Sequence, residues 1–499
     1  MLVTPQQMAV AENRCDETSV SLRQLMDNAA LSLADFIAAH SNCNRILFLC
    51  GNGNNGGDGI VAANILKEKG IDASIALLCG NPKTKLAQNA FVRAQHNGVV
   101  VISDSAPLKA MISECDVLVD CVFGTGFRGS LPAEIADIFA YDTNALRISA
   151  DIPSGANGLT GEADKGTFAA DYTLTFGRVK TGLVMYPARE MCGEIIVCDI
   201  GIPDECYPCD ECFFEIDEEY ARRILPKRAK NSHKGDYGKL LCIVGSENMV
   251  GAAALCLNSA LRSGAGIVKA AVPKSVRNAL SSSVYEALWQ PLEVDKNGFI
   301  TADNFDALKK SAQCCDAVVI GCGLGVTDDT RYIVRNLIAE LDCPIILDAD
   351  GINCIAGCID ILTGKDNIVL TPHPGEAARL LDTSIAQVAS DRIDCARKLA
   401  FSGCSAVLKS ASVIVAQNSK FGINTGGNSG MSKGGSGDVL AGIIGALAAQ
   451  GMQLYEAAVL GVYIHSAAGR LASAELSEYS CLPSDIITRL SSVFAQLQK

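Results

Sequence analysis

The sequence predicts an α/β fold of two domains, each a mainly parallel sheet covered by helices. Short apolar segments typical of buried strands alternate with helical segments along most of the chain, which indicates parallel strands joined by right-handed crossovers. Glycine is abundant, at 46 of 499 residues, and only 5% of the residues are aromatic, which suits cores of aliphatic side chains and alanine. The length is sufficient for about two to four domains.

The first predicted domain, residues 1–215, carries seven strand segments with helices between them. A glycine-rich turn after the first strand opens a helix at 56–69, and a later helix is predicted at 132–141. The strand segments are 45–50, 73–79, 99–103, 116–124, 146–153, 172–177 and 194–202.

The second predicted domain, residues 231–499, restarts this alternation. It follows a segment rich in proline, charge and turn formers, residues 216–230, which is predicted to be a linker. The two blocks share an architecture but no sequence repeat, so they are interpreted as different α/β domains. The predicted strand segments are 239–245, 267–273, 316–323, 344–351, 367–372 and 406–415, and the helices are 251–263, 435–450 and 456–473.

Charge and composition exclude several classes of protein. A formal net charge of −13 argues against nucleic acid as a partner, although a small phosphorylated ligand needs only local N–H groups and one or two cations. No apolar run of 18 residues and no secretory signal is visible, so we expect a cytoplasmic protein that does not enter a membrane. The 22 cysteines are scattered, often in apolar runs, and are predicted to be reduced.

One group of cysteines has a spacing that resembles a metal site. Cys206, Cys209 and Cys212 form C-x2-C-x2-C, which could begin an iron–sulfur or zinc site. No fourth ligand is spaced to match, and the flanking residues are acidic. We therefore interpret this group as a cysteine-rich surface linker.

A glycine-rich segment, CGNGNNGGDG, follows the first strand and opens a helix. Between Gly51 and Gly56 it has the G-x-G-x-x-G spacing of a dinucleotide-binding turn. It also contains two amides and a carboxylate, at Asn54, Asn55 and Asp58. A carboxylate would repel a pyrophosphate unless it had another role, so the loop is predicted to hold a charged ligand and a metal ion together.

Two further loops end neighbouring strands of the first domain. One follows Asp120, and the other is DIPSG, which begins at Asp151. Because ligands of open α/β sheets bind at the carboxyl ends of strands, both loops are expected to face the crevice of the glycine-rich segment. Lys180 follows another strand and is either a cation or acid–base group of this site or a solvated surface lysine.

The motifs NNGGDG, D-x-x-FGTG and DIPSG, in that order, resemble the NAD(P)H-hydrate epimerase family over roughly residues 1–215. The resemblance implies a Rossmann-like three-layer domain, a substrate that is NAD(P)H with a hydroxyl on its nicotinamide ring, and a K⁺ site at Asn55, Asp120 and Ser154. Epimerisation needs a positioned proton donor and acceptor, and Asp151 is the candidate catalytic residue. The residues implied in substrate binding are Asn54, Asn55, Gly56, Gly57, Asp58, Gly124, Thr125, Gly126, Phe127, Arg128, Gly129, Ser130 and Asp151.

In the second domain, the segment GGSGDVL opens a helix of small apolar residues. It lacks the GxxxxGK[ST] pattern of a P-loop, and its backbone N–H groups are predicted to form an anion hole beside Asp438. A carboxylate there can take the proton from a hydroxyl that attacks a phosphoryl group. GGSGDVL resembles the GxGD motif of ribokinase-like kinases.

Upstream motifs narrow the resemblance. SHKG, GCGLG, TPHPGE and KSASV, in this order before GGSGD, resemble the ADP- or ATP-dependent NAD(P)H-hydrate dehydratase family over about residues 225–499. This implies a ribokinase-like domain in which Gly323, His373 and Asp438 contact the hydrate, although His373 could instead pack a loop. Cys322 departs from the family, which commonly has proline between the glycines. The residues implied in nucleotide binding are Lys409, Ser410, Ala411, Ser412, Val413, Asn428, Ser429, Gly430, Gly434, Gly435, Ser436 and Gly437.

These observations predict a bifunctional repair enzyme for hydrated NADH and NADPH. The first domain would interconvert the R and S hydrates. The second would phosphorylate the ring hydroxyl of the S hydrate through Asp438, using ADP or ATP with Mg²⁺, and then eliminate it. The fused arrangement favours ADP, and we expect a homo-oligomer. The alternatives are a ribokinase-like vitamin-precursor or sugar kinase with an N-terminal regulatory domain, and a non-catalytic nucleotide-binding protein.

Overall fold

The protein is described here by a computed structural model that covers residues 1–40, 45–103, 105–400 and 403–499. The chain divides into two compact units, Met1–Phe213 and Phe214–Lys499. Each unit is built on a largely parallel sheet with helices, which confirms the predicted fold class. Within the described ranges, no helix is long and apolar enough to cross a membrane.

The first unit contains a seven-stranded sheet in the order β3-β2-β1-β4-β5-β6-β7. All neighbouring strands are parallel. The strands are β1 Arg45–Cys50, β2 Asp72–Leu77, β3 Val100–Ile102, β4 Val117–Cys121, β5 Leu146–Ala150, β6 Tyr172–Phe176 and β7 Glu194–Cys198. The helices are α1 Pro5–Thr18, α2 Leu22–His40, α3 Asn54–Glu68, α4 Lys85–His96, α5 Ser105–Glu114, α6 Ala133–Phe139 and α7 Ala188–Met191.

The two faces of this sheet bury separate cores, which gives the predicted three layers. Successive side chains of β1 point to opposite faces: Phe48 packs in the core beneath α2 and α3, whereas Leu49 packs in the core with Ile112 and Ile135. Parallel strands covered on both faces require continuous apolar runs, which is why RILFLC could be recognised in the sequence.

The second unit contains a ten-stranded sheet in the order β11-β10-β9-β12-β13-β14-β15-β16-β17-β8. The strands are β8 Cys212–Glu215, at the division between the units, β9 Lys239–Ile243, β10 Ile267–Pro273, β11 Leu288–Leu292, β12 Ala317–Ile320, β13 Ile345–Leu347, β14 Ile368–Leu370, β15 Ser405–Leu408, β16 Val413–Gln417 and β17 Lys420–Asn424. The helices are α8 Glu218–Ile224, α9 Val250–Arg262, α10 Lys274–Leu280, α11 Phe305–Ala312, α12 Asp328–Glu340, α13 Asp350–Ile355, α14 Pro374–Leu380, α15 Ile385–Ser390, α16 Arg392–Leu399, α17 Ser436–Ala449, α18 Leu454–Leu476 and α19 Pro483–Leu497.

The strands β8, β11 and β17 were not among the predicted segments, and three predicted segments differ from the expected form. The segment 216–230, predicted to be a linker, contains α8, and Ile216 and Ala221 are buried in the core of the second unit. The segment 406–415 is a hairpin, because β15 and β16 are antiparallel and joined by a turn that begins at Lys409. Helix α3 begins at Asn54 rather than at residue 56, since Gly53 is the extended residue that precedes it.

Candidate active sites

A cleft of about 580 Å³ lies at the carboxyl edge of the first sheet. It follows the ends of β1, β4 and β5, where an open α/β sheet binds its ligands. Most residues that the sequence predicted for this site line it, whereas Gly56, Gly57, Asp120, Gly129 and Ser154 do not. The predicted residues that line it are Asn54, Asn55, Asp58, Gly124, Thr125, Gly126, Phe127, Arg128, Ser130, Asp151 and Lys180.

The glycine spacing of the first loop has a steric cause. A Cβ atom on Gly51 would lie 1.9 Å from the carbonyl oxygen of Val122, and one on Gly56 would lie 2.0 Å from the carbonyl oxygen of Gly51. Both positions therefore require glycine, because the start of α3 packs directly on the turn that leaves β1. The turn after β1 also packs against the end of β4, and this contact brings Asn55 to the loop after Asp120.

Asp120 and Ser154 lie buried beside this cleft, next to Asn55, which lines it: the Asn55 amide and the Ser154 hydroxyl both hydrogen-bond the Phe123 carbonyl. Asp120 is fully buried and accepts hydrogen bonds from the Ser154 hydroxyl at 2.6 Å and the Ser154 N–H at 2.7 Å. Burial raises the pKa of Asp120 to about 6, although these hydrogen bonds lower it. The Asn55 amide donates to the Phe123 carbonyl at 3.1 Å, while its buried Oδ1 has no hydrogen-bond partner within the described residues. The three residues predicted to hold K⁺ are thus together, with one acceptor oxygen unsatisfied.

Asp151 and Lys180 form a buried ion pair. The Lys180 ammonium donates to Asp151 Oδ1 and also to the Phe176 carbonyl at 2.8 Å. Lys180 is 0% exposed, so it is not a solvated surface lysine. Asp151 has φ +65°, a left-handed conformation that is unfavourable for a residue other than glycine and is found at functional positions. It also accepts the Phe176 N–H at 3.1 Å.

Two more carboxylates face the same cleft. Glu12, on α1, was not predicted from the sequence, because nothing near it in the chain suggests a site. Burial and the charge of Asp151 raise the pKa of Glu12 and raise that of Asp58 well above its usual value, while Lys180 lowers both. Three carboxyl groups therefore share one ammonium group, and protons are retained on this cluster more readily than on isolated acids.

In the second unit, Asp438 lies in the first turn of α17. The preceding Gly435 adopts φ +100°, which leaves the first N–H groups of α17 free of a side-chain cap. The pKa of Asp438 is raised to about 7, first by burial and then by the neighbouring charge of Asp348. A carboxylate beside a helix N-terminus, poised near neutral pH, has the properties of a general base.

Asp438 belongs to a cluster that the sequence only partly indicated. Asp348, at the carboxyl end of β13, is buried and accepts hydrogen bonds from Lys409 Nζ at 2.7 Å and the Thr371 hydroxyl at 2.6 Å. Ligand atoms of Cys322, Asp348 and Asp438 all lie within 4.8 Å of one another. The sequence analysis missed Asp348 as a site residue, although its position directly after the apolar strand PIIL could have identified it.

Lys409 and His373, both predicted to contact a ligand, also interact with residues of the protein itself. Burial lowers the pKa of Lys409, but Asp348 and Glu376 raise it more, so its charge is firmly held. Glu376 is 4% exposed and lies 4.0 Å from Lys409 Nζ. His373 caps α14, since its Nδ1 accepts the Gly375 N–H at 3.0 Å, and about half of its side chain remains exposed. Gly323, with φ +64°, lies in the turn after β12.

The segments expected to hold the nucleotide are two loops of the second unit. The first is the turn of the β15–β16 hairpin, in which the Ser410 hydroxyl donates to the Ser412 carbonyl at 2.6 Å. The second runs from residue 428 to the start of α17, where Ser429 hydrogen-bonds Glu478 and Lys433 Nζ donates to the Tyr479 carbonyl at 2.7 Å. Both loops are held by side-chain hydrogen bonds and by backbone hydrogen bonds, such as the one from the Lys409 N–H to the Pro372 carbonyl at 2.9 Å.

The cysteine triplet does not form a ligand cluster. Cys206 is buried, whereas Cys209 and Cys212 are exposed, and all cysteines of the described residues are free thiols. Among the residues that the structure describes, the group of Cys322, Asp348 and Asp438 is the one cluster of three potential metal ligands.

Comparisons with known proteins identify a family for each of the two units. Residues 240–491 match the family described as NAD(P)H-hydrate dehydratase, and residues 22–182 match the family described as YjeF-related protein N-terminus. The bifunctional NAD(P)H-hydrate repair enzyme Nnr of Moorella thermoacetica is 35% identical over 494 residues, which cover 95% of this chain and 93% of that protein. The Escherichia coli enzyme of the same name is 33% identical over 467 residues, or 91% and 86% of the two chains.

Solved structures support the fold. A hypothetical protein of Streptococcus mutans aligns with a TM-score of 0.51 and 27% identity over 57% of this chain and all of that one. A ribokinase-like superfamily protein of Enterococcus faecalis aligns with a TM-score of 0.51 and 24% identity, covering 58% of this chain and 98% of that one. The family matches and the similar repair enzymes support the predicted repair enzyme and not the alternative kinase with a regulatory domain. The chain belongs to the family of bifunctional NAD(P)H-hydrate repair enzymes, which carry an epimerase and a dehydratase domain.

Proposed function

We propose that the two activities reside in the two carboxylate centres described above, epimerisation at Asp151 and dehydration at Asp438. The observation that carries this assignment is that each unit holds a charge-coupled carboxylate at the carboxyl edge of its own sheet, buried at Asp151 and half-buried at Asp438. The domain limits that follow are close to 1–215 for the epimerase and 231–499 for the dehydratase, with α8 packed on the second domain.

In the epimerase centre, Asp151 is the residue that exchanges a proton with the substrate. Its pairing with Lys180 orients the carboxylate and keeps a donor within hydrogen-bond reach of the same point. The glycine-rich start of α3 and the loop 124–130 would bind the nucleotide part of the hydrate, because both line the cleft and a helix N-terminus favours an anionic group. Asp58 and Glu12 complete the acidic wall.

The K⁺ ion expected in the first domain fits the residues present. The unsatisfied Asn55 Oδ1, the Asp120 carboxylate and the Ser154 hydroxyl are oxygen donors, which a hard monovalent cation prefers. Such an ion would neutralise Asp120 and fix the loop after β4. Its contribution would be to position this loop, while proton exchange is assigned to Asp151.

In the dehydratase centre, Asp438 takes the proton from the ring hydroxyl as the hydroxyl oxygen attacks the terminal phosphorus of ADP or ATP. The bond from that phosphorus to the bridging oxygen breaks, and the shortened nucleotide leaves. Phosphate is a better leaving group than hydroxide, so its departure, with loss of a proton from the adjacent ring carbon, forms the double bond that restores the dihydronicotinamide ring. Lys409 and the N–H groups at the start of α17 stabilise the negative charge on the transferred group.

Mg²⁺ is expected to enter with the nucleotide and to neutralise charge on its phosphates. The carboxylates of Asp348 and Glu376 fit such an ion. They are oxygen donors, and their two negative charges are only partly balanced by the single positive charge of Lys409. The turn 409–413 and the residues 428–430 and 434–437 would hold the adenine nucleotide, with Gly323 and His373 on the side of the hydrate.

The test is complete conversion of a mixed substrate. The purified chain is incubated with equal amounts of R and S hydrates, Mg²⁺ and either ADP or ATP, and the return of NAD(P)H is measured. We expect full conversion by the native chain and about half conversion by Asp151→Asn within the time of the native reaction. Full, fast conversion by Asp151→Asn would refute the assigned epimerase role, and comparison of ADP with ATP identifies the donor.

We also propose a cytoplasmic location and a homo-oligomeric state. Free thiols buried throughout both units favour a reducing compartment. Exposed Tyr285 and Tyr479, at 77% and 96%, are aromatic side chains suited to a subunit interface. Light scattering coupled to size exclusion would establish the mass in solution, and a monomer would overturn the second proposal.

A further inference from the structure

The dehydratase centre of this chain contains a sulfur atom that its reaction does not use. Cys322 lies between Gly321 and Gly323, in the turn after β12, and is fully buried. Its Sγ lies 3.7 Å from Asp348 Oδ2, and its thiol also hydrogen-bonds Asp438. A thiol from β12, a carboxylate from β13 and a carboxylate from α17 therefore converge from three separate elements.

We propose that Cys322, Asp348 and Asp438 form a binding site for a thiophilic divalent cation such as Zn²⁺, and that occupation of this site blocks the dehydratase. The proposal of a binding site rests on geometry and donor chemistry alone. The proposed block rests also on the assignment of Asp438 as the base of the dehydratase.

The spacing of the donor atoms suits such an ion. In a tetrahedral Zn²⁺ site with Zn–S of about 2.3 Å and Zn–O of about 2.1 Å, a sulfur and an oxygen ligand lie about 3.6 Å apart. The observed 3.7 Å between Cys322 Sγ and Asp348 Oδ2 is close to this edge length. The third donor, on Asp438, lies within 4.8 Å of the other two, so a small rotation of its side chain would complete the face of a tetrahedron. Water or a nucleotide oxygen would take the fourth position.

The charges also leave room for a cation. Lys409 binds Oδ1 of Asp348 and leaves Oδ2 on the side of Cys322. Asp348, Asp438 and Glu376 place three carboxyl groups around this single ammonium group. A bound divalent ion would displace the thiol proton of Cys322, so that the products are a metal thiolate and one released proton.

The sulfur atom determines which cations would compete. Mg²⁺ prefers oxygen donors and does not gain from a thiolate, whereas Zn²⁺ and Co²⁺ bind thiolate strongly. The proposed site should therefore take up Zn²⁺ in the presence of Mg²⁺. A metal ion coordinated by the carboxylate of Asp438 would prevent this carboxylate from accepting the hydroxyl proton. The epimerase centre, which has no cysteine among its lining residues, would be unaffected.

Co²⁺ is the probe for the site, because a cobalt–thiolate bond gives a charge-transfer absorption band in the near ultraviolet. The full-length native chain is titrated with CoCl₂ without nucleotide, beside Cys322→Ser and a matched control, Cys314→Ser, which removes an exposed cysteine. We expect the band in the native and control chains and its loss in Cys322→Ser, with binding weakened more than about tenfold, since even outer-shell partners contribute 10–100-fold. A band of equal strength in Cys322→Ser would overturn the site.

Inhibition is measured as the ratio of rates with and without ZnCl₂ at fixed Mg²⁺, for both activities of each chain. We expect the dehydratase ratio to fall at least tenfold in the native and control chains, to stay near one in Cys322→Ser, and the epimerase ratio to stay near one throughout. Equal inhibition of both activities, or of native chain and Cys322→Ser, would overturn the proposed block. A chain with no dehydratase activity under any condition would refute the proposed function, while the cobalt band would still report the site.

Discussion

Asp151 and Asp438 both lie at the carboxyl edge of a largely parallel sheet, but each has a different electrostatic partner. Asp151 pairs directly with Lys180, which is fully buried beside it. In the second unit the corresponding ammonium, Lys409, binds Asp348 instead, and Asp438 keeps a pKa raised to about 7. The fold places both carboxylates, whereas their nearest charged neighbours differ: an ammonium group lies beside Asp151, and the carboxylate of Asp348 lies near Asp438.

The largest effect is expected from removal of the Asp438 carboxylate, which does not pair directly with a lysine. Asp438→Asn keeps the size of the side chain but cannot accept the hydroxyl proton, so we expect the dehydratase to lose about 10²–10⁴-fold in rate. The return of NAD(P)H from pure S hydrate measures this loss. Epimerisation of the R hydrate, followed by chromatography, is the control and should be unchanged. Loss of both activities in a folded variant would contradict two separate centres.

The next largest effect is expected from removal of Lys180, the ion-pair partner of Asp151. Lys180→Met leaves Asp151 buried without its counter-ion, which should lower the free energy of unfolding of the first unit by about 3–5 kcal/mol. The only tryptophan of the chain, Trp289, lies in the second unit, so a circular dichroism transition that Trp289 fluorescence does not follow reports the first unit.

The matched controls for this variant are Lys165→Met, which removes an exposed lysine of the same unit, and the double variant Lys180→Met with Asp151→Asn. Lys165→Met should change little. The double variant should recover part of the lost stability, because the uncompensated charge is gone. If Lys180→Met and Lys165→Met unfold alike, the ion pair is not the stabilising contact that the geometry indicates.

The pH dependence of the dehydratase tests whether Asp438, with its raised pKa, is the base of this reaction. A carboxyl group with a pKa of about 7 is mainly protonated below that pH and cannot act as a base. We expect kcat/KM of the dehydratase to fall about tenfold per pH unit below about 7 and to level off above it. Fluorescence of Trp289 in the same buffers is the control and should show that the second unit stays folded across this range. A dehydratase rate that is flat from pH 5 to 8 would exclude Asp438 as the titrating base.

The smallest expected effect concerns K⁺ in the first unit. If K⁺ binds the unsatisfied Asn55 oxygen, the free energy of unfolding of this unit should rise by about 1.4 kcal/mol at ten times the dissociation constant. Thermal unfolding in KCl is compared with choline chloride for the native chain, Asn55→Leu and Asn64→Leu, which alters the same helix away from the cleft. The rise should vanish only in Asn55→Leu. A rise that persists there would place the ion elsewhere.

Much of the site was visible in the sequence because short-range geometry dictates it. The glycines at 51 and 56 are required where α3 meets the turn after β1, and Gly435 is required at the left-handed entry to α17. Glu12 was missed, since it reaches its site from α1, which is remote in sequence from the recognised motifs. Asp348 was missed although it directly follows the apolar residues of a predicted strand segment. Lys180 could be singled out but its burial could not, because burial depends on what packs around β6.

The sequence by itself determined the two α/β domains, their order, and the loops that carry the reactive carboxylates. Apolar runs, glycine positions and motif order are local properties of the chain, so they can be recognised without knowledge of the tertiary structure. The tertiary structure alone decided which charges meet: Lys180 with Asp151, Lys409 with Asp348, and Cys322 between two carboxylates. These pairings depend on strand order and helix packing across many intervening residues, and electrostatic energies depend on distance and burial rather than on separation along the chain.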